Sequence, residues 1–213
     1  MVSEIVYRPF EKDSDLKSVI SIIGDTWHDQ IPKGPIRDAE AGYDFAHLYA
    51  QSTFSQVAIL DNQLVGIVLA RAGAPSIKHQ DQWKSCARRC LNTEQKLSNQ
   101  LYQSYLYELQ EENHINQALL QSIQPSAQPY EAQLLIVSQQ AQGHGVGSTL
   151  ISAVKNYFIC QQAPDAYLFT DTYCNFLFYD HIGLTMIDQH TVNNTENGLL
   201  ADKYFVYGFD LTS

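Results

Sequence analysis

Residues Ser138 to Leu150 read SQQAQGHGVGSTL, and the glycines at 143, 145 and 147 constrain this chain more than any other stretch. They follow an apolar run, EAQLLIV, and precede Val146, Leu150, Ile151, Val154, Tyr157 and Phe158, which recur at helical spacing. A glycine costs roughly 0.5–1 kcal/mol in a regular element relative to alanine, so a cluster between a strand and a helix marks backbone that turns sharply or meets something closely. A turn of this kind presents free N–H groups at the positive end of the helix dipole. That is an anion site, most often one for phosphate.

The rest of the chain sets the frame around that turn. EIVYRPF alternates as a first strand, and EKDSDLKSVISIIGDTWHD follows with acids at its start and Leu16, Val19, Ile20, Ile23 and Trp27 on one helical face. QIPKGPIRD reads as a loop, and a second helical pattern runs from about Asp38 to Ala50. QVAILDNQLVGIVLARAG is an antiparallel hairpin turning at DNQ. From about 74 to 130 the texture becomes rich in Gln, Leu and Tyr with few β-branched residues, which predicts a helical insertion. Its charges, Lys78, Lys84, Arg88, Arg89 and Lys96 against Asp81, Glu94, Glu108, Glu111 and Glu112, read as solvated helix faces. After the glycine turn and its helix come a strand (AYLFTD), a short helix (NFLFYDHIG) and two strands joined through NNTENG. The order β-α-α-β-β, insert, β-α-β-α-β-β predicts an α/β fold with a central mixed sheet flanked by helices, a single domain over 1–213.

Charge narrows the partners. With 13 Lys and Arg against 23 Asp and Glu, the formal charge of -10 repels phosphate backbones and anionic lipid, so neither nucleic acid nor a membrane is expected. The opening MVSEIVYRPFEKDSD does not resemble a signal peptide, and no stretch approaches the ~20 apolar residues of a membrane span. A cytoplasmic location is expected. Cys86, Cys90, Cys160 and Cys174 contain no C-x-x-C pair and read as reduced thiols, without a metal.

Three phosphate-binding patterns compete for the glycine turn. A P-loop needs Lys before its Ser or Thr, and GVGST has none. A dinucleotide fingerprint would want glycine at 148, where serine stands, and would sit in the first βαβ unit; Asp165 alone lies near the distance expected of its ribose-binding acid. The third pattern fits. Gln142-Gly143-His144-Gly145-Val146-Gly147 resembles the Gln/Arg-x-x-Gly-x-Gly/Ala loop of the GNAT superfamily, the acyl-CoA-dependent N-acyltransferases. EAQLLIV is similar to that family's fourth strand, FYDHIGL to its Tyr-x-x-x-Gly segment and KYFVYGFDL to its last strand. The likeness covers residues 131–213 well and 1–73 loosely, and leaves the insert unexplained.

The resemblance implies acetyl transfer from acetyl-CoA to a primary amine of a small molecule or peptide. Backbone amides from Gly143 to Ser148, including those of His144, Gly145, Val146 and Gly147, would cradle the pyrophosphate, with Gln142 a neutral donor where many members carry Arg. Leu135, Ile136 and Val137 would offer main chain to the pantetheine arm, and Phe178 would line its path. Tyr179 matches the family's usual acid and Glu131 the place of a carboxylate base. Many members carry Asn seven residues before the Tyr. Here Thr172 holds that place and Asn175 stands four before, so either could meet the arm. Acceptors in the family generally enter between the first two helices and the last two strands, and Asp29, Asp38, Asp188 and Glu196 would suit a cationic amine. The insert could wall the acceptor cleft, join two copies as a homodimer, or do neither. Two other readings stay open, a non-catalytic acyl-CoA-binding or sensor module on the same fold and a dinucleotide-binding oxidoreductase.

Overall fold

A computed structural model describes residues 4–192 and 199–212. The NNTENG turn, with Glu196, lies outside the described residues. Seven strands form one mixed sheet in the order β1-β2-β3-β4-β5-β7-β6. The strands are β1 (Val6–Arg8), β2 (Phe54–Leu60), β3 (Gln63–Ala72), β4 (Tyr130–Val137), β5 (Tyr167–Asp171), β6 (Thr185–Thr191) and β7 (Lys203–Gly208). Helices α1 (Lys12–Trp27) and α2 (Pro35–Tyr49) follow β1, and α3 (Ile77–Leu97) and α4 (Asn99–Ile123) form the insert between β3 and β4. Helix α5 (Val146–Cys160) joins β4 to β5, and the short α6 (Leu177–His181) joins β5 to β6.

Local chemistry explains several boundaries. Asp61 and Asn62 both take left-handed φ, 50° and 62°, between the paired ends Leu60 and Gln63, the two-residue turn that matches strand twist. Pro35 opens α2, where a missing N–H costs nothing. The insert breaks into two helices at Ser98, whose side chain accepts from Leu101 N as Ser76 does from His79 N at the start of α3.

The two faces of the sheet carry different loads. On one, α5 buries Val146, Leu150, Ile151, Val154 and Phe158 against Val68, Ala132, Leu168, Phe205 and Tyr207. On the other, α1, α2 and α3 pack Val19, Ile23, Phe45 and Trp83 onto Val57, Ile67, Leu69, Leu134 and Ile136. Beside them α4 sets Ile115 and Leu119 on Tyr167, Tyr204 and Val206, so the insert roofs the β5–β7 half of that face.

The insert meets α1 and α2 through buried polar groups, which corrects the expectation that its acids are all solvated. Glu94 of α3 is fully buried, beside Glu40 of α2. His28, at the end of α1, lies 3.0 Å from Glu40 and 2.7 Å from Asp44, and Tyr105 of α4 donates to the same Asp44. The side chains of four helices therefore meet in one polar knot. Its apolar periodicity hid Glu94, because an i, i+4 pattern says where a stripe lies and not which acid meets a partner inside.

Candidate active site

The glycine turn is built as an exposed cradle. After β4 a single 3-10 turn at Gln139–Ala141 leads into Gly143 and Gly145, both at φ 77°, and Gly145 caps α5 without any side-chain hydrogen bond. That left-handed conformation costs roughly 1–2 kcal/mol for residues with a Cβ, which is why glycine stands at both positions. Space around their Cα atoms is open on the side a Cβ would take. Gln142, Gly143, His144 and Gly145 are exposed while Val146 is buried as the first helical anchor. His144 turns back on the loop, with Nδ1 3.0 Å from the Gln142 carbonyl. The first N–H groups of α5 have no partner inside the helix and point out of its positive end. Gly147 serves a different purpose: a Cβ there would sit 3.0 Å from Phe178 Cζ, so this glycine lets α6 close against α5.

Beside this cradle the sheet opens. β4 and β5 run parallel and pair only at Glu131–Tyr167 and Ala132–Leu168, after which they diverge. A bulge in β4 marks the point of departure: Leu69 faces Leu134 while Ala70 faces Ala132, leaving Gln133 as the extra residue. Beyond it, Leu134 to Val137 keep their ladder to β3 and have no ladder to β5. Leu135 and Val137 are half-buried toward α5, and Ile136 is buried on the opposite face.

Helix α6 stands on the α5 side of this opening. Tyr179 packs on Tyr207, with ring centroids 5.6 Å apart, and on Phe178 at 5.4 Å. Burial, with the Asp171 carboxylate adding negative charge nearby, raises the pKa of its phenol. Thr172 is engaged, since its Oγ1 accepts from Lys203 N at 3.3 Å and its own N–H donates to the Lys203 carbonyl. Asn175 is exposed.

Glu131 lies at the first of the two paired rungs, on the α4 face, and is not a free carboxylate. Arg71, opposite it on β3, holds it at 2.7 Å. Burial raises the Glu131 pKa, and the Arg71 charge only partly offsets this. Sequence reasoning missed Arg71, because the pairing depends on strand register between positions sixty residues apart. The ion pair forms the floor of a cleft of about 610 Å³. Gln133 and Phe169 continue that floor, His47 of α2 and Gln51 just after it form one wall, and Asn116 and Gln117 of the insert form another. The cleft thus meets the opening between β4 and β5 from the face opposite the glycine cradle. None of Asp29, Asp38 or Asp188 lines it.

Asp165, the acid that a dinucleotide would require, is committed elsewhere. It accepts from Ser126 N at 3.0 Å and from Ser126 Oγ at 3.2 Å, tying the end of the insert to the loop before β5.

No protein-family model matches the sequence. No curated protein matches it either. Solved structures do match the fold. A protein from Desulfovibrio desulfuricans assigned to the GNAT family of acetyltransferases superposes with a TM-score of 0.55 at 12% identity, covering 98% of this chain and 100% of that one. Ard1 from Thermoplasma volcanium gives 0.53 at 12% identity, with 96% of each chain covered. A chain of the NatC complex, solved with Gag peptide and CoA, gives 0.52 at 11% identity, covering 98% of this chain and 99% of its own. At such identities what is shared is the course of the backbone, and in that respect the chain has the GNAT acetyltransferase fold.

Proposed function

We propose that this protein transfers an acetyl group from acetyl-CoA to a primary amine by direct attack, in the cytoplasm. The observation that carries the reading is the divergence of β4 from β5 beside a glycine-led helix start. A cleft in the sheet with unpaired strand edge suits an extended arm that adds as a strand, and the cradle at its end suits a pyrophosphate. Backbone amides must supply most of the phosphate contact, because Lys155 and Lys203 are the only lysines or arginines in residues 131–213.

In this reading the acyl group reaches the Gln133 bulge through the opening, and the amine approaches from the cleft beneath. An N–H of β4 polarises the thioester carbonyl. The amine nitrogen bonds to the carbonyl carbon as the C–S bond breaks, and the sulfur leaves with the electron pair. Tyr179, whose pKa burial raises, gives the thiolate its proton. The proton lost by the amine passes toward Glu131, directly or through water, whose raised pKa makes it a stronger base than a surface glutamate. Asn175 is the better candidate for the arm, because the Thr172 hydroxyl already has a partner. Phe178 acts by holding α6 against Gly147.

Calorimetric titration with acetyl-CoA tests the reading, with NADH and ATP as controls. Micromolar binding of acetyl-CoA alone, lost in Gly145→Val, is the expected result. Failure to bind acetyl-CoA at low salt would end it.

A further inference from the structure

The cleft beneath the β4–β5 opening has a chemistry of its own. Six primary amides line it, from Gln51, Gln80, Asn113, Asn116, Gln117 and Gln133. Some of their atoms are engaged within the protein, since Gln51 Oε1 accepts from Arg71, Gln133 Oε1 from Ser52 and Gln80 Oε1 from Lys84, while Gln80 Nε2 donates to the Pro75 carbonyl. The amide groups that remain form a surface that reads neutral hydrogen-bonding groups. Two buried polar atoms on lining side chains have no hydrogen-bond partner among the described residues, the Asn116 Oδ1 acceptor and the Arg71 Nε donor. Leaving such groups unpaired costs roughly 1–3 kcal/mol each, and since both atoms are closed to solvent a ligand relieves that cost only where the Asn116 amide or the Arg71 guanidinium turns toward it.

Charge in the cleft runs against that of the whole molecule. Arg71 and Glu131 neutralise one another. His47 is kept neutral by burial, which lowers its pKa. Lys84 is then the one unmatched charge among the lining residues; it stands exposed at the rim, with Nζ donating to Gln80 Oε1 at 3.1 Å. The carboxylates of Glu112 and Glu108 lie one and two turns before Asn116 on α4, outside the lining, where Glu112 accepts from Tyr204 at 3.4 Å. A chain of net charge -10 therefore turns a neutral to positive surface toward the reacting centre.

We infer that this cleft is the acceptor site, that the insert sets its specificity through Asn116, Gln117 and Lys84, and that it takes an amine whose body is uncharged or anionic and rich in amide or hydroxyl groups, not a polycation. The inference rests on the transferase reading for the reaction but not for the binding. It replaces the cationic amine suggested by the acidic composition, because composition counts surface that never meets the substrate. The insert is a wall, and Asn116 is a positioning residue within it.

Four amines separate the sources of this chemistry: a tripeptide with a free carboxylate, the same tripeptide amidated, glucosamine and spermidine. Turnover is read as thiol release from acetyl-CoA, and binding of each amine by ligand-observed NMR on the full chain. The tripeptides or glucosamine should exceed spermidine by about tenfold or more in kcat/KM and bind in the same order. Asn116→Leu should raise KM about tenfold for the favoured acceptor, with kcat and the acetyl-CoA Kd unchanged. Lys84→Glu should weaken only the acceptor with a free carboxylate. Preference for spermidine, or an Asn116→Leu enzyme with unaltered acceptor KM and binding, would overturn the inference. If acetyl-CoA binds and no amine is turned over, the transferase reading fails, while the order of amine binding and its loss in Asn116→Leu still decide the cleft.

Discussion

Single residues divide sharply by how much local sequence reveals of them. Gly143 and Gly145 are legible because glycine is the cheapest residue at φ 77°, and nothing else in a strand-to-helix turn asks for that conformation. Gly147 belongs to the same motif yet answers to Phe178, thirty-one residues away, a contact no spacing rule contains. The two positions should therefore fail differently. Gly145→Val strains the loop and fills the cradle, so acetyl-CoA binding should vanish in calorimetry while the fold persists. Gly147→Leu pushes against Phe178, so it should lower stability by about 1–3 kcal/mol in urea unfolding, as overpacking does, and shift α6 with Tyr179. Tyr179 itself is found by motif, whereas its surroundings, Tyr207 and Cys174, are found only in the structure. Tyr179→Phe should keep the acetyl-CoA Kd within about twofold and lower kcat by about a hundredfold, the scale of a lost general acid. An unchanged kcat would assign Tyr179 to packing.

Elements were easier to read than their junctions. Periodicity predicts α1, α2, α5 and the hairpin of β2 and β3, because each buries one face and alternates accordingly. It predicts a helical insert as well, but not that a serine cap at Ser98 splits it or that α4 covers β5 to β7. Nor does it reveal what joins the insert to α1 and α2. The contacts lie between residues distant in sequence: Tyr105 donates to Asp44, and Glu94 lies against Glu40, which also pairs with His28. Tyr105→Phe keeps the ring on Tyr43 and His28 and removes only the hydroxyl bonded to Asp44. A hydrogen bond to a charged group contributes about 1.5–3 kcal/mol, so urea unfolding should show a loss in that range. Since the knot lies away from the glycine cradle, acetyl-CoA affinity should not change. A variant as stable as the parent would mean that the insert is held by its apolar contacts alone.

The whole molecule inherits from these buried groups a stability that depends on protons. Burial works against the charge on His28, but hydrogen bonds to Asp44 and Glu40 outweigh it and raise its pKa to about 10. Burial first, and then Glu40, push Glu94 to about 8, and burial with Glu108 pushes Glu112 to about 8. All three folded values exceed the unfolded ones, so between the two the folded chain binds more protons and stability falls as pH rises. The His28 contribution is complete below about 6.5 and disappears as pH passes 10; those of Glu94 and Glu112 are complete below about 4.5 and are lost through 8. Asp15 acts in the opposite sense. Burial raises its pKa, yet the Arg8 hydrogen bonds win and lower it below 3.8, so its contribution is lost only in stronger acid. The melting temperature should therefore decline steadily from pH 6 to pH 9. General repulsion in a chain of net charge -10 would give the same trend. Salt separates the two causes, because surface repulsion is screened over about 8–10 Å at ordinary ionic strength while buried groups are screened much less. The decline should survive in 0.5 M salt and become shallower in Glu94→Gln, which cannot ionise, with His28 and Glu112 keeping the rest of the slope. A melting temperature level across that range, or a decline abolished by salt alone, would show that the buried knot does not govern the pH response.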